Sequence, residues 1–552
     1  MKSTQSVMRL AFLLALVGSL LIACVAAPAA STDAAPADDA MAAESSESEG
    51  PQMGGVVTGF VSSDPLNFDP AAIAGWDQGV IAPNLLEGLF RLSPDGREIE
   101  PAVAESFEVS DDGKTWTFNL RAGAKFHNGR EITADDFKYS FERVLNPETR
   151  SPKAWMLSIV VGAQEFQDGA ADEVSGIRVV DAQTLEIELA EPLAPFESML
   201  ASINLAVVPK EEVEKWGEDF GQNVVSAGPF SLGEWNLNQD VTLNAFEDYW
   251  NGRPFLDAVM FRFIGDENTR IIELDAGRLD MAWVPPAHWE RFSTDPVYKE
   301  KLGWAETFHT DFIAVNLENE PFGTNPKLRQ AVRYALDLDA IIASLQGRAT
   351  VAQGLLPPGL LGFDEDAMLS YPTNLDSAKA LMAEAGFADG VPGTFDVILP
   401  PWGNLIKMLE IYQANLKEIG INIEIRPTEF GPYMEALETG NYDLAWMYRV
   451  TDYADPDGFY FPLMHSDNLG AGGNYARYAN TDVDANIAAA RATVDDAERT
   501  SLYQAVDAQF AEDLPYIPLT HNIYVDVSRP RVQNYVPSPM DTHMFHRVWV
   551  EE

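Results

Sequence analysis

Residues 394 to 457 switch between two hydrophobic periods, and this switching constrains the fold more than any other stretch of the 552-residue chain. Thr394 to Leu399 is a short apolar run of strand type. Leu405, Leu409, Tyr412, Leu416 and Ile419 then recur at helical spacing, and Gly420 supplies a stop. Ile421 to Ile425 is a second strand ended by Pro427, Tyr433 to Leu437 continues a short helix closed by Gly440, and Tyr442 to Met447 is a third strand. Strand, helix, strand, helix, strand in that order calls for a parallel sheet with right-handed crossovers, so the chain is α/β. In open sheets of this kind ligands bind beyond the carboxyl ends of the strands. Two segments lie there, Tyr448 to Asp457 and Pro400-Pro401-Trp402-Gly403-Asn404. Trp402 and Tyr448 are therefore candidate cleft residues, although packing would suit each of them equally.

The segment Asp443 to Asp457, DLAWMYRVTDYADPD, carries the densest chemistry. Asp452, Asp455 and Asp457 could form an acid/base pair, a metal cluster, or a single anchor for a cationic group. A calcium loop of the EF type needs ligands at alternating positions, a glycine at the sixth and a glutamate at the twelfth, and Pro456 breaks that spacing. His543 and His546 are three apart but lack the adjacent carboxylate of a metalloprotease helix. No bound metal and no cofactor are expected. The chain has no Gly-x-Ser-x-Gly motif and no phosphate-cradling glycine loop. An enzyme is not expected, and a secreted glycosidase or peptidase is the rival class, since any 85 acids include some neighbouring pairs.

The length exceeds one ordinary core, and 46% hydrophobic residues support two or three packed units. The first residues are not among them. Lys2 and Arg9 precede an apolar run from Leu10 to Ile22 that is too short to span a bilayer. Leu21-Ile22-Ala23-Cys24 resembles a bacterial lipobox. By that resemblance 1–23 is a lipoprotein signal peptide and Cys24 carries the lipid that tethers the protein outside the cytoplasmic membrane. Cys24 is the only cysteine, so an intrachain disulfide is impossible. Residues 24–53, rich in Ala, Ser, Pro, Asp and Glu, cannot bury enough surface to offset their ordering and read as a flexible linker.

Loss of 1–23 removes two basic residues and no acid, taking the net charge from −48 to −50. Such a surface repels nucleic acid and anionic headgroups. It fits solubility outside the cell, in a salty medium for instance, and says little about the ligand.

From Gly54 the pattern is that of folded protein. Gly55 to Val61 is a first strand. Ala74, Gly75 and Trp76 sit in a loop leading to an apolar helical pattern that ends near Leu89. Trp116, Phe118 and Leu120 alternate with polar residues, and Asn128-Gly129 is a turn signal. Thr133 and Asp136 make a capping-box-like start for a helix with Phe137, Phe141 and Val144 on one stripe. Thr184 to Leu189 is a further alternating strand.

The run from Pro101 to Arg143 resembles the extracellular solute-binding proteins of oligopeptide and dipeptide ABC importers, family 5 of the bacterial solute-binding proteins. The likeness continues in order through Ser226-Ala227-Gly228-Pro229-Phe230, Tyr249-Trp250-Asn251-Gly252-Arg253-Pro254, Asp275 to Asp280, Val315-Asn316-Leu317 with Pro321-Phe322, and Leu328 to Val332. The family's usual Gly-Thr before Gly-Pro is Ser-Ala here. The resemblance implies a two-lobed periplasmic-binding-protein-like clamshell (type II, class C) with an extra subdomain inserted in the first lobe. On that template 54–98 and 206–310 form the first lobe, 99–205 the inserted subdomain and 311–521 the second lobe, and 522–552 return to the first.

It further implies a monomeric, non-catalytic protein that captures a peptide between its lobes and delivers it to an ABC permease. Thr451-Asp452-Tyr453-Ala454-Asp455-Pro456 matches the family segment whose aspartate binds the peptide's α-ammonium, which makes Asp452 the anchor. Ala74, Gly75 and Trp76 match the loop whose backbone adds to an extended peptide, and Tyr448 and Val450 match the opposite edge. Tyr448 and Arg449 replace the glycine and tryptophan usual there, so the pocket is narrower or differently charged, and Arg449 suits a ligand carboxylate or a surface ion pair. An oligosaccharide is the alternative ligand, suggested by Trp76, Trp283, Trp402 and the tyrosines.

Overall fold

Two long strands, Leu302–Val315 and Tyr516–Ser528, pair antiparallel within a seven-stranded sheet and set the arrangement of the rest. The computed structural model describes residues 50–364 and 372–551, so the leader, Cys24 and nearly all of the linker lie outside the described residues. On one flank of the long pair, Met281–Trp283 and Ala349–Val351 both join Tyr516–Ser528. On the other flank, Leu444–Val450 runs antiparallel to Leu302–Val315, followed by Phe395–Leu399 and Ile423–Pro427. These last three strands are mutually parallel where they pair. Helices Gly403–Glu418 and Phe430–Thr439 connect them, as the alternating pattern requires, and Gly440 ends the second helix at φ 75°.

The strands alternate between two cores, because successive side chains leave opposite faces of a sheet. Ile313, Val315, Leu444, Trp446, Val397, Leu399, Ile517 and Leu519 pack into one core with the helix Gly403–Glu418. Phe312, Ala314, Ala445, Met447, Ile398 and Tyr516 pack into the other. Burial on both faces explains why these strands read as continuous apolar runs. The third strand of the pattern is longer than its apolar run, reaching Val450 and not Met447. His309, Thr310 and Asp311 continue the ladder opposite Val450, Arg449 and Tyr448, so backbone pairing carries it past the core's edge.

A four-stranded sheet, in the order Val56–Val61, Ala258–Phe263, Asp240–Ala245, Phe230–Asn236, forms a separate body. Val532, Phe545, Val548 and Val550 from the C-terminal tail share its core with Val57, Phe230 and Phe261. The chain thus closes on its beginning. A third, antiparallel sheet joins Ala104–Val109, Thr115–Leu120, Thr184–Glu188 and Ile177–Asp181. Trp116, Phe118 and Leu120 are buried as their alternation demands, and at the start of the helix Ala134–Leu145 the Asp136 carboxylate accepts from both the N–H and the hydroxyl of Thr133. Phe137, Phe141 and Val144 from that helix complete its core. The whole is an α/β clamshell of two lobes with an added subdomain.

The long ladder shifts register between Glu306 and Thr310. Beside that shift lies His521, 3% exposed. The Thr310 hydroxyl donates to the Leu355 carbonyl, so the His521 Nδ1–H, 2.9 Å away, donates to Thr310. Nε2 is buried with no partner. Burial, with the neighbouring His309, pushes the imidazole down to about 3. The unfolded chain therefore takes up this proton first as pH falls, and the stability it contributes is full above about 6.5 and drains away toward 3. Comparing wild type with His521→Gln by urea unfolding, the wild-type advantage is expected to shrink by on the order of 3 kcal/mol between pH 7 and pH 4. A pH-independent gap would refute this.

Candidate functional site

Where the face of Leu444 and Trp446 runs past its core, Tyr448 and Val450 emerge 39% and 36% exposed into a cleft of about 1190 Å³. Trp402, at the N-terminal end of the helix Gly403–Glu418, stands beside them. Its ring lies 5.9 Å from Trp446 and 6.3 Å from Tyr448, so the three rings make one aromatic wall. Pairing of Leu444–Val450 with Phe395–Leu399 stops at Ala445, which leaves Tyr448 to Val450 with a strand partner on one edge among the described residues.

Ala74, Gly75 and Trp76 line the same cleft. Trp76 is not in the loop, where the sequence pattern places it, but heads the helix Trp76–Ile81 after a Gly75 cap. The cause is local: Gln78 reaches back so that its side-chain oxygen accepts from the Ala74 and Gly75 backbone N–H groups, winding the chain one turn early. Those two donors are consequently engaged. The Trp76 ring packs 4.9 Å from Trp283, and its indole N–H donates to Asp541.

Asp452 lies on the cleft just beyond the strand end. Its Oδ1 is 2.5 Å from Lys153 Nζ and its Oδ2 is 3.2 Å from Arg449 Nη2. Burial alone would raise the carboxyl, but Arg449 and Lys153 outweigh it and hold Asp452 below the usual carboxylate range. Arg449 does not line the cleft. It sits behind Asp452, donating also to the Gly458 carbonyl. Lys153 does line it, from the segment before the short turn Ala154–Leu157. No spacing could have linked Lys153 to Asp452 across 299 residues, and the sequence reading missed it. It also missed Asp541, Tyr524, His309 and Asp311, which come to the cleft from three separate strands and loops.

Asp455 and Asp457 face the other way. Both are buried, at 5% and 0% exposure, and neither lines the cleft. Both Asp455 oxygens accept from Arg499 Nη2 at 2.8 Å, and Asp455 Oδ1 also accepts the Asp457 N–H, which fixes the turn. Asp457 accepts the Tyr453 hydroxyl at 2.8 Å, with Arg491 3.6 Å away. Removing one member of such a pair strands the other's charge in the interior. Arg499→Met is expected to lower unfolding free energy by about 3–5 kcal/mol in denaturant titration. A change below about 1 kcal/mol would show the pair to be dispensable.

The comparisons with known proteins follow the same outline. The family described as "Bacterial extracellular solute-binding proteins, family 5 Middle" matches residues 98–471. Heme-binding protein A of Haemophilus influenzae is 32% identical over 88% of this chain and 91% of its own length. The dipeptide-binding protein of Escherichia coli is 30% identical over 82% of this chain and 86% of its own. Among solved structures, an ABC transporter-associated periplasmic binding protein from Helicobacter pylori, in complex with the peptide STSA, superimposes with a TM-score of 0.76. It is 25% identical and covers 91% of this chain and 99% of that one. The chain belongs to the bacterial extracellular solute-binding proteins of family 5.

Proposed function

We propose that the protein is the ligand-capturing component of an ABC importer for peptides, closing its lobes on a di- or oligopeptide and presenting it to the permease. The observation that supports this most directly is the ammonium already seated on Asp452. Lys153 Nζ lies at hydrogen-bonding distance from the carboxylate, so the site accommodates an ammonium by size and charge. In the proposed complex a peptide's α-ammonium takes that place and Lys153 withdraws. Tyr448 to Val450 offer a backbone edge, and Trp402, Trp446 and Tyr448 a flat apolar wall, for an extended main chain. The dipeptide-binding relative and the peptide-bound structure agree with a peptide ligand.

Lobe closure is proposed to bend the two long strands at the register shift near Glu306 and Thr310, close to the lobe boundaries 310/311 and 521/522 expected from the family template. The role is binding and release, with no bond made or broken. No helix among the described residues is long and apolar enough to cross a membrane. Membrane attachment is proposed to run through lipid on Cys24, so that Cys24→Ser shifts the protein from the membrane to the soluble fraction; an unchanged distribution would exclude the anchor.

Mild denaturation of the purified, lipid-free protein followed by mass spectrometry of the released small molecules tests the ligand class, with peptides expected. Sugars alone would replace the peptide reading with an oligosaccharide one. In calorimetric titration with a bound peptide, Asp452→Ala is expected to cost about 2 kcal/mol or more, as for a desolvated charge partner. Lys153→Met, which removes the internal competitor, is expected to tighten binding by about 1 kcal/mol or more. Unchanged affinity in both variants would remove Asp452 from the anchor role.

A further inference from the structure

The cleft has a second carboxylate whose surroundings differ from those of Asp452. Asp541 lies on the cleft wall in the left-handed region, at φ 54°, a conformation costly for most residues other than glycine. Its carboxylate accepts from the Trp76 indole N–H. Among the described residues no Lys, Arg or His forms an ion pair with it. Three rings stand around this carboxylate. Trp76 and Trp283 are 4.9 Å apart and Trp283 and Tyr524 5.5 Å apart, and all three line the cleft. The Trp283 indole N–H is itself buried without a partner.

One guanidinium already uses this cluster from elsewhere. Arg270 lies 5.7 Å from the centre of the Trp283 ring, but it donates to the Ile264 and Gly265 carbonyls and the Ser62 hydroxyl, not to Asp541. Burial and the like charge of Asp526 push the Asp541 carboxyl well above the usual carboxylate range, and the Trp76 N–H offsets this only in part. A half-buried carboxylate of this kind is short of a counter-charge. Aromatic faces attract cations through their quadrupole, and a carboxylate among them adds a charge-assisted hydrogen bond.

We propose that Asp541, Trp76, Trp283 and Tyr524 form a subsite for a cationic side chain, an alkylammonium or guanidinium group carried by the bound peptide. This rests on the peptide reading of the cleft. It makes the protein selective for peptides with a basic residue at one position. The selectivity is local: it comes from one desolvated carboxylate among rings and not from the acidic surface, whose field salt screens over about 8 Å.

The test uses short peptides of equal length in which lysine at each position in turn is replaced by norleucine, which keeps the chain length and deletes the charge. The wild-type protein is expected to favour lysine over norleucine at one position by about tenfold or more. Asp541→Asn keeps a side-chain acceptor for Trp76 and is expected to abolish that preference while leaving norleucine peptides within about threefold of wild type. Equal wild-type affinity for lysine and norleucine at every position overturns the subsite and leaves the peptide reading intact; this measurement needs no variant. Equal weakening of both peptides in Asp541→Asn also overturns it, since that is the signature of a carboxylate that only holds Trp76 in place. If no peptide binds, 1,5-diaminopentane serves as the probe. Its binding to wild type but not to Asp541→Asn keeps the subsite and overturns the peptide reading, and failure to bind overturns both.

Discussion

The antiparallel pairing of Leu302–Val315 with Tyr516–Ser528 is the constraint on which the rest of the structure depends. At 14 and 13 residues these strands are more than twice the usual length of about 5–6. Each therefore reaches three cores, one on either face of the parallel strands and one at the far end of the ladder. Val525 and Val527, with Leu302 packed against them, belong to the same cluster as Ala282, Val284 and Phe292. Ile313, Val315, Ile517 and Leu519, farther along, belong to the core of the parallel strands. One hydrogen-bonded ladder thus holds both bodies in register. The proposed closure is absorbed within that ladder, near the register shifts between Glu306 and Thr310 and between Asp311 and Phe312 where its pairing is irregular.

The same strand geometry decides the fates of three neighbouring acids. Leu444–Val450 leaves the core at Tyr448, so the chain just after it meets both interior and cleft. Asp452 meets the cleft, paired with Lys153 and Arg449. Asp455 and Asp457 turn inward, Asp455 held through both oxygens by Arg499 and Asp457 through one oxygen by the Tyr453 hydroxyl. Residues three and five apart in sequence therefore have opposite electrostatic tasks: one faces the cleft, and the others lock the turn that aims it. The buried pair adds little net stability beyond an apolar equivalent, since desolvation offsets its Coulomb attraction. Its effect is to fix one geometry for the segment carrying Asp452.

Local order was legible in the residues themselves. The two hydrophobic periods between Thr394 and Met447 located three strands and two helices, because strands buried on both faces and amphipathic helices leave distinct signatures. The alternation of Trp116, Phe118 and Leu120, and the Thr133–Asp136 cap, were equally direct. Ends were harder to read. Leu444–Val450 extends past its apolar run because its partner strand supplies backbone hydrogen bonds that no side chain announces, and Trp76 enters a helix because Gln78 folds back on Ala74 and Gly75. Chain order came only from the resemblance, which returns 522–552 to the first lobe; composition carries no trace that the C-terminal tail shares a core with the strand Val56–Val61. The family resemblance, not periodicity, brought Ala74 to Trp76 and Tyr448 to Asp452 into one site. Lys153 and Asp541 escaped both routes, since each acquires its role from a contact hundreds of residues away.

The ammonium on Asp452 bears on how such a cleft both binds and lets go. An empty, partly buried carboxylate would be costly, and its cost would drive tight capture of any cation. With Lys153 and Arg449 in place that cost is already met. In the proposed complex an incoming ammonium displaces Lys153 while Arg449 stays, so the net gain is smaller than the full strength of one ion pair. On the proposed reading, selectivity comes from what the exchange does not cancel: the backbone edge at Tyr448 to Val450, the aromatic wall of Trp402, Trp446 and Tyr448, and the carboxylate of Asp541, which forms no ion pair with a Lys, Arg or His among the described residues. If the protein releases its ligand as proposed, it gains from an anchor of this kind, since Lys153 reoccupies Asp452 as the ligand leaves and no bare charge is exposed on the way.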